Sequence, residues 1–267
     1  MNVLFLSAEA VPFAKVGGMG DFVGSLPQAL RKKGVDVRLL MPGYGMIDHK
    51  KHNVKQLFAF PFTHRNGTAD VSVYSTVQDG VTVYFVQAWP YLGSGQSIYT
   101  VWEWDMPRFI FFNQLALATI EELGRRFGWE PDLLHINDWH PGLLPFILYN
   151  NQNVPELRDI ATLLTVHNLM YQGELAGGWL WNAGIPERRH RDLVYQDLTD
   201  NMLGIAIAYA DLVTTVSPRY AVEIQYPSMG FGLDGLMRAR STDVSGIING
   251  IDAELWNPAT DSNIASN

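Results

Sequence analysis

The sequence lacks several features that would assign it to a common protein class. It has no cysteine, which excludes disulfide bonds and thiol catalysis. It has no G-x-S-x-G motif, which disfavours a serine hydrolase. No apolar run approaches the roughly 20 residues of a membrane helix. No basic segment precedes the strand-like start at Asn2, as it would in a signal peptide. We therefore expect a soluble, cytoplasmic protein.

Basic residues are also scarce. The 19 Lys and Arg residues are outnumbered by 27 Asp and Glu residues, and the formal net charge is -8. This charge argues against a general affinity for nucleic acid or for anionic membranes. The 267 residues are 47% hydrophobic, which suits one large or two small globular domains with a sizeable core.

Apolar, strand-like runs alternate along the chain with segments of helical spacing. Strands are predicted at 3–6, 35–41, 132–137, 161–167, 212–216 and 244–248, and helices at 22–33, 106–127, 141–150, 199–210 and from Pro218, capped by Ser217. This order predicts an α/β fold with a doubly wound parallel sheet, whose ligands bind beyond the carboxyl ends of the strands.

Three parts of the chain depart from this alternation. Shorter strands at 57–62, 71–76 and 81–86, separated by turn signals, predict a small antiparallel insertion on the parallel core. Residues 91–97 are rich in glycine and serine and predict a surface loop. Residues 179–192 are charged, rich in tryptophan and also predicted as a loop.

A glycine-rich turn connects the first strand to the first helix. It contains Lys15, Gly17, Gly18, Gly20 and Asp21. Glycine lets backbone approach a ligand closely, and a helix N-terminus favours anions. One interpretation has Lys15 bind a phosphate and Asp21 accept sugar hydroxyls. The turn matches neither the dinucleotide fingerprint nor the P-loop, so a ligand-free connection is the alternative.

Polar residues follow the predicted parallel strands where each strand ends. They are Glu9 beside the glycine turn, 137–140, His167 with Asn168, Ser217, and 249–252. Because the carboxyl ends of parallel strands share one edge of the sheet, these residues predict a single site there.

The remaining candidate residues have structural interpretations that compete with functional ones. His135 and His140 match no common metal-ligand spacing, so His135 is interpreted as a buried strand histidine. Asp138 is predicted to cap a helix, to bind sugar, or to do both. The acidic residues of 103–105 precede a helix, where acids are stabilising, and we predict no metal site.

Four tryptophans are placed in loops by the sequence, either packed beneath them or stacked on sugar rings. They are Trp102, Trp104, Trp179 and Trp181.

Together these segments resemble the bacterial glycogen synthase and plant starch synthase family. The matching motifs are Lys15-Val-Gly-Gly-Met-Gly-Asp21, His135-Ile-Asn-Asp-Trp-His140, Thr165-Val-His-Asn168, Tyr171-Gln-Gly173, Thr215-Val-Ser-Pro218, 226–236, Asn249-Gly-Ile-Asp252 and Trp256-Asn-Pro258. They occur in family order over nearly the whole chain.

The resemblance implies a GT-B glycosyltransferase, in which two Rossmann-like domains face each other across a cleft. Such an enzyme transfers glucose from ADP-glucose to the non-reducing 4-hydroxyl of an α-1,4-glucan such as glycogen or a maltooligosaccharide. Configuration is retained, and no metal or other cofactor is needed. The family also favours a front-face route, in which the leaving phosphate takes the acceptor proton.

The resemblance also implies roles for individual residues. Lys15, the backbone of Gly17 and Gly18, Asn168 and Asn249 would contact the donor.

Asp21 and Asp138 would line the acceptor side of the cleft and, with His167 beside the transferred glucose, form the catalytic set. Tyr99 is assigned to the acceptor side.

The resemblance ends about where the family's second domain begins. Residues 1–267 are therefore expected to form the N-terminal, acceptor-side domain, without the C-terminal nucleotide-binding domain that would be its partner. We expect little transferase activity from this chain alone. The alternatives are a glucan-binding protein without catalysis and a GT-B enzyme that uses another nucleotide sugar.

Overall fold

The computed structural model of the protein describes residues 1–252, 256–262 and 264. Over these residues it contains a nine-stranded sheet of order β3-β4-β5-β2-β1-β6-β7-β8-β9. The strands are β1 Asn2–Leu6, β2 Asp36–Pro42, β3 Lys55–His64, β4 Gly67–Gln78, β5 Val81–Gln87, β6 Leu133–Asn137, β7 Ala161–Val166, β8 Leu212–Thr215 and β9 Val244–Gly246.

Helices follow or precede these strands on the two faces of the sheet. They are α1 Gly18–Lys32, α2 Trp102–Phe127, α3 Leu144–Asn150, α4 Pro155–Arg158, α5 Gly177–Asn182, α6 Arg191–Tyr195, α7 Met202–Tyr209, α8 Pro218–Glu223, α9 Pro227–Gly230 and α10 Asp234–Ala239. In the described part of the chain, no helix is long and apolar enough to cross a bilayer.

The predicted parallel core is confirmed. The core strands run parallel to one another and are, in sheet order, β5, β2, β1, β6, β7, β8 and β9. The predicted insertion is smaller than expected, because only β3 and β4 lie outside the core. β5 pairs antiparallel with β4 but parallel with β2, and its near-continuous burial is typical of a core strand covered on both faces.

The predicted loop at 179–192 is confirmed only over residues 183–190, because its ends belong to α5 and α6. Each of these short helices is held by one fully buried leucine, Leu180 or Leu193. The ring of His190 accepts the Asp192 N–H and caps α6. Charged and aromatic neighbours hide such a short helix in the sequence.

The loop placement of four tryptophans is also wrong. Trp102 and Trp104 lie in the first turn of α2, and Trp179 and Trp181 lie in α5. α2 begins at Trp102, four residues before the predicted residue 106, and contains Pro107 as its sixth residue. Proline removes one helical N–H at that position.

Candidate active site

The glycine turn lies between β1 and α1, and Gly17 is the N-cap residue of α1. Lys15 and Asp21 form an ion pair across it, with Nζ 2.7 Å from the carboxylate. Both side chains are about half exposed, at 46% and 52%. An exposed pair of this kind contributes little to stability, so both groups remain available to a ligand.

Gly17 and Gly18 have open space where a side chain would stand. No atom of the described chain lies within 4 Å of a Cβ built on either residue. Gly17 also has an extended backbone, with φ -126° and ψ -170°. Neither packing nor conformation therefore requires glycine at position 17, which is consistent with a ligand that approaches from outside.

Glu9 is the site residue whose role sequence reasoning missed. Its side chain is almost fully buried beneath the turn, and Oε2 accepts the N–H groups of Val16 and Gly17 at 2.7 and 2.8 Å. Its Oε1 accepts the hydroxyl of Tyr99 at 2.7 Å. The one sequence signal was its position after β1, since the contact with Tyr99 spans 90 residues.

Asp138 lies beyond the end of β6 with a left-handed backbone, φ 56°, and is buried. Its Oδ1 accepts the His167 N–H at 2.7 Å. Burial raises the pKa of Asp138 to about 7, although the N–H groups of His167 and Asn168 oppose the shift, and the charge of Glu9 adds to it. The predicted helix cap is wrong, because α3 begins only at Leu144 and Asp138 binds the neighbouring strand end instead.

His167 follows the end of β7 and is held through its ring. Nε2 lies 3.0 Å from Oδ1 of Asn137, whose amide nitrogen donates to the carbonyl of Leu6. Because the amide nitrogen of Asn137 faces that carbonyl, its Oδ1 faces His167 and accepts a hydrogen bond. Nε2 of His167 therefore carries the proton. The ring of Phe22 packs edge-on against the imidazole, and burial lowers the pKa of His167 to about 4. The histidine is therefore neutral at pH 7.

His135 and the acidic residues before α2 have structural partners. Nε2 of His135 lies 2.7 Å from the Thr165 hydroxyl, and the ring is buried, as predicted for a strand histidine. Asp105 accepts from Thr100 and pairs with Arg108. Among the described residues, no group of three or more His, Cys, Asp or Glu side chains is arranged to hold a metal ion.

The remaining predicted residues differ in how far the geometry connects them to the site. Tyr99 binds Glu9, and its ring stacks on His140 at 5.3 Å. Asn168 is exposed, and its Oδ1 accepts the Met170 N–H at 3.0 Å. Asn249 is exposed three residues beyond the end of β9. The donor and acceptor roles of all these residues stay predictions.

Comparison with known proteins identifies the family of the chain. The sequence profile of the starch synthase catalytic domain matches residues 2–239. The chain is 38% identical to a glycogen synthase of Streptococcus uberis and 39% identical to one of Streptococcus agalactiae, over 99% and 98% of its length. It spans about 55% of each of these relatives.

One solved structure has a similar fold over the whole length of the chain. It is the catalytic domain of starch synthase IV from Arabidopsis thaliana, bound to ADP and acarbose. It superposes on the whole chain with a TM-score of 0.87 at 29% sequence identity, and the chain covers 55% of it. The fold is that of a GT-B glycosyltransferase, and the chain belongs to the starch synthase catalytic domain family.

Proposed function

We propose that this chain forms the acceptor-side half of a retaining glucosyltransferase that extends α-1,4-glucans from ADP-glucose, as in glycogen synthesis. The observation that carries the proposal is the hydrogen bond between the carboxylate of Asp138 and the backbone of a neutral His167. Two findings support the substrates: the relatives are named glycogen synthases, and the similar solved structure holds ADP and acarbose.

On the donor side, Lys15 binds a phosphate of ADP-glucose, and Gly17 and Gly18 let the donor approach the backbone. Asn168 and Asn249 complete the donor contacts from the ends of β7 and β9. The Lys15–Asp21 ion pair opens as the donor enters, which frees Asp21 for sugar hydroxyls.

On the acceptor side, Asp138 accepts a hydroxyl of the glucan. The backbone N–H of His167 holds that carboxylate in position, while the neutral ring contacts the transferred glucose. The leaving phosphate takes the acceptor proton, so the chain needs no carboxylate nucleophile. The proposal includes no metal ion, and Lys15 supplies part of the charge that stabilises the departing diphosphate.

Lys15 alone does not neutralise a diphosphate, and one half of a cleft does not exclude water. We therefore propose that transfer requires a second domain, which is consistent with relatives nearly twice as long. The cytoplasmic location stays a prediction from the sequence.

The test joins this chain to the second half of the Streptococcus agalactiae glycogen synthase. We expect the joined protein to transfer labelled glucose from ADP-glucose to maltohexaose, and the chain alone to transfer at least about 100-fold more slowly, as removal of a major electrostatic contribution does. The complete Streptococcus enzyme is the positive control.

Three outcomes contradict the proposal in different ways. Equal rates for the chain alone and the joined protein would remove the need for a second domain. Maltohexaose binding without transfer by the joined protein would favour a glucan-binding protein. Transfer from UDP-glucose, or to fructose phosphate, in preference to ADP-glucose and glucan would indicate another GT-B enzyme.

A further inference from the structure

Glu9 is a buried carboxylate with three hydrogen-bond donors directed at it. Val16 N–H and Gly17 N–H bind Oε2, and the Tyr99 hydroxyl binds Oε1, all within 2.8 Å. Only 4% of the residue is exposed, so neighbouring side chains and backbone, rather than water, surround the carboxylate. A buried charge is tolerated when such donors satisfy it.

The turn is shaped to admit this carboxylate. A Cβ built on Gly20 would lie 3.3 Å from Oε2 of Glu9 and 3.1 Å from Cγ of Lys15. Packing therefore disfavours a side chain at position 20, whereas it leaves room for one at Gly17 and Gly18. The Ala10–Ala14 bridge closes the chain ahead of the turn, and Glu9 accepts the next two backbone N–H groups after Lys15.

Tyr99 reaches Glu9 from the loop before α2. Its ring stacks on His140 and contacts Phe109, so the phenol is held on its apolar faces. Its hydroxyl donates to Glu9, and burial together with that hydrogen bond raises the pKa of Tyr99. The phenol therefore stays protonated and remains a donor at neutral pH.

We propose that Glu9 is a positioning residue that couples the two sides of the cleft, because one carboxylate fixes both the glycine turn and Tyr99. The turn carries the proposed donor contacts and Tyr99 the proposed acceptor contact, so the coupling rests on the proposed function. The Gly17 N–H is already bonded to Glu9. The sugar-nucleotide donor would therefore contact N–H groups of the first turn of α1, which begins at Gly18.

The experiment measures two properties of the 267-residue chain. Amide hydrogen exchange at Val16 and Gly17 reports the turn, and titration with maltohexaose reports the acceptor side. The variants are Glu9→Ala, Glu9→Gln, Tyr99→Phe and the double variant Glu9→Ala with Tyr99→Phe. Tyr44→Phe is the matched control, because it removes another buried hydroxyl, which donates to the Ala8 carbonyl at 3.0 Å and not to Glu9.

We expect Glu9→Ala to speed exchange at Val16 and Gly17 and to weaken maltohexaose binding, each by about ten- to a hundredfold, as lost hydrogen bonds to a charged group do. Glu9→Gln should recover most of both effects. Its carbonyl can accept the two N–H groups, and its amide can donate to the Tyr99 oxygen. Adding Tyr99→Phe to Glu9→Ala should weaken binding little further, since the two groups act together.

Three results would overturn the coupling. Exchange at Val16 and Gly17 could stay unchanged in Glu9→Ala, the effects of Glu9→Ala and Tyr99→Phe on affinity could simply add, or Tyr44→Phe could weaken binding equally. A native chain that binds no maltohexaose would instead overturn the acceptor side of the proposed function. The exchange measurement would still decide whether Glu9 fixes the turn.

Discussion

At the residue scale, the glycines of the turn and of α1 differ in how much space a side chain would have. Gly17 and Gly18 have open space at the Cβ position, whereas a Cβ on Gly24 would lie 2.2 Å from Cγ2 of Val11. Gly24 lies within α1, four residues after the last glycine of the predicted turn. Only the coordinates separate glycines available to a ligand from a glycine required by packing.

This difference predicts opposite effects of adding one methyl group. Gly17→Ala and Gly18→Ala should leave the unfolding temperature unchanged and lower transfer from ADP-glucose in the joined two-domain protein about tenfold or more, because a methyl group displaces the donor. Gly24→Ala should cost about 1–3 kcal/mol of stability through overpacking. Calorimetry and initial rates measure the two effects. Full activity of Gly17→Ala and Gly18→Ala would show that no ligand approaches there.

Asp138 provides a second prediction at this scale. Its carboxyl carbon should titrate near pH 7 in a 13C NMR experiment, because burial outweighs the hydrogen bonds that favour the charged form. Glu9→Gln should lower that pKa, since it removes a nearby negative charge, whereas Tyr44→Phe should not. A midpoint near the ordinary value of about 4 would contradict the assignment of Asp138 as a desolvated group.

At the scale of elements, the β3–β4 hairpin holds α5 in place. Arg65 at the hairpin tip donates to the carbonyl of Trp181 at 3.0 Å, and its guanidinium lies 4.4 Å from the centre of the Trp181 ring. Asn66 donates to the carbonyl of Asn182 at 3.2 Å. The antiparallel insertion thus contacts a helix more than 100 residues away in the sequence.

We expect Arg65→Ala to speed amide exchange within α5 and to cost about 1 kcal/mol of stability, from one hydrogen bond and one cation–π contact. Arg189→Ala is the control. Its side chain pairs with Glu187, and both side chains are mostly exposed, at 84% and 78%. Equal exchange in the two variants would mean that the hairpin does not hold α5.

Much of the element order could be predicted from sequence, but the contacts between elements could not. The buried strands and their parallel order follow from uninterrupted apolar runs such as β1 and β7. The start of α7 differs from the predicted residue 199. The helix begins at Met202, after Asn201, whose side chain accepts the Gly204 N–H. The role of Glu9 was hidden, since no local pattern records a hydrogen bond to Tyr99.

At the scale of the whole molecule, three buried histidines oppose folding in acid. Burial lowers the pKa of His135 and His140 to about 3 and that of His167 to about 4. An unfolded histidine binds a proton below about pH 6.5. Between about pH 5.5 and 4.5 the unfolded chain therefore binds about three protons at these histidines that the folded chain does not. Asp138, whose pKa is raised to about 7, has the opposite effect, because the folded chain binds one proton there that the unfolded chain does not.

For these four groups the difference approaches two protons between about pH 5.5 and 4.5, so stability should fall by about 3 kcal/mol over that pH unit. Urea unfolding at pH 5.5 and pH 4.5 measures this slope. His135→Gln keeps a hydrogen-bonding side chain beside Thr165 and should reduce the slope by about a third to a half. A slope that does not change in this variant would mean that His135 is already protonated in the folded protein.

Under the proposed function, the Lys15–Asp21 ion pair would discriminate among the anions that reach the turn. A free phosphate ion must separate the pair and then satisfies only Lys15, while Asp21 is left beside a second negative charge. A molecule that carries both a phosphate and sugar hydroxyls replaces each partner at once. If Lys15 and Asp21 bind the donor as proposed, the pair therefore favours a sugar phosphate over a free phosphate ion at this turn.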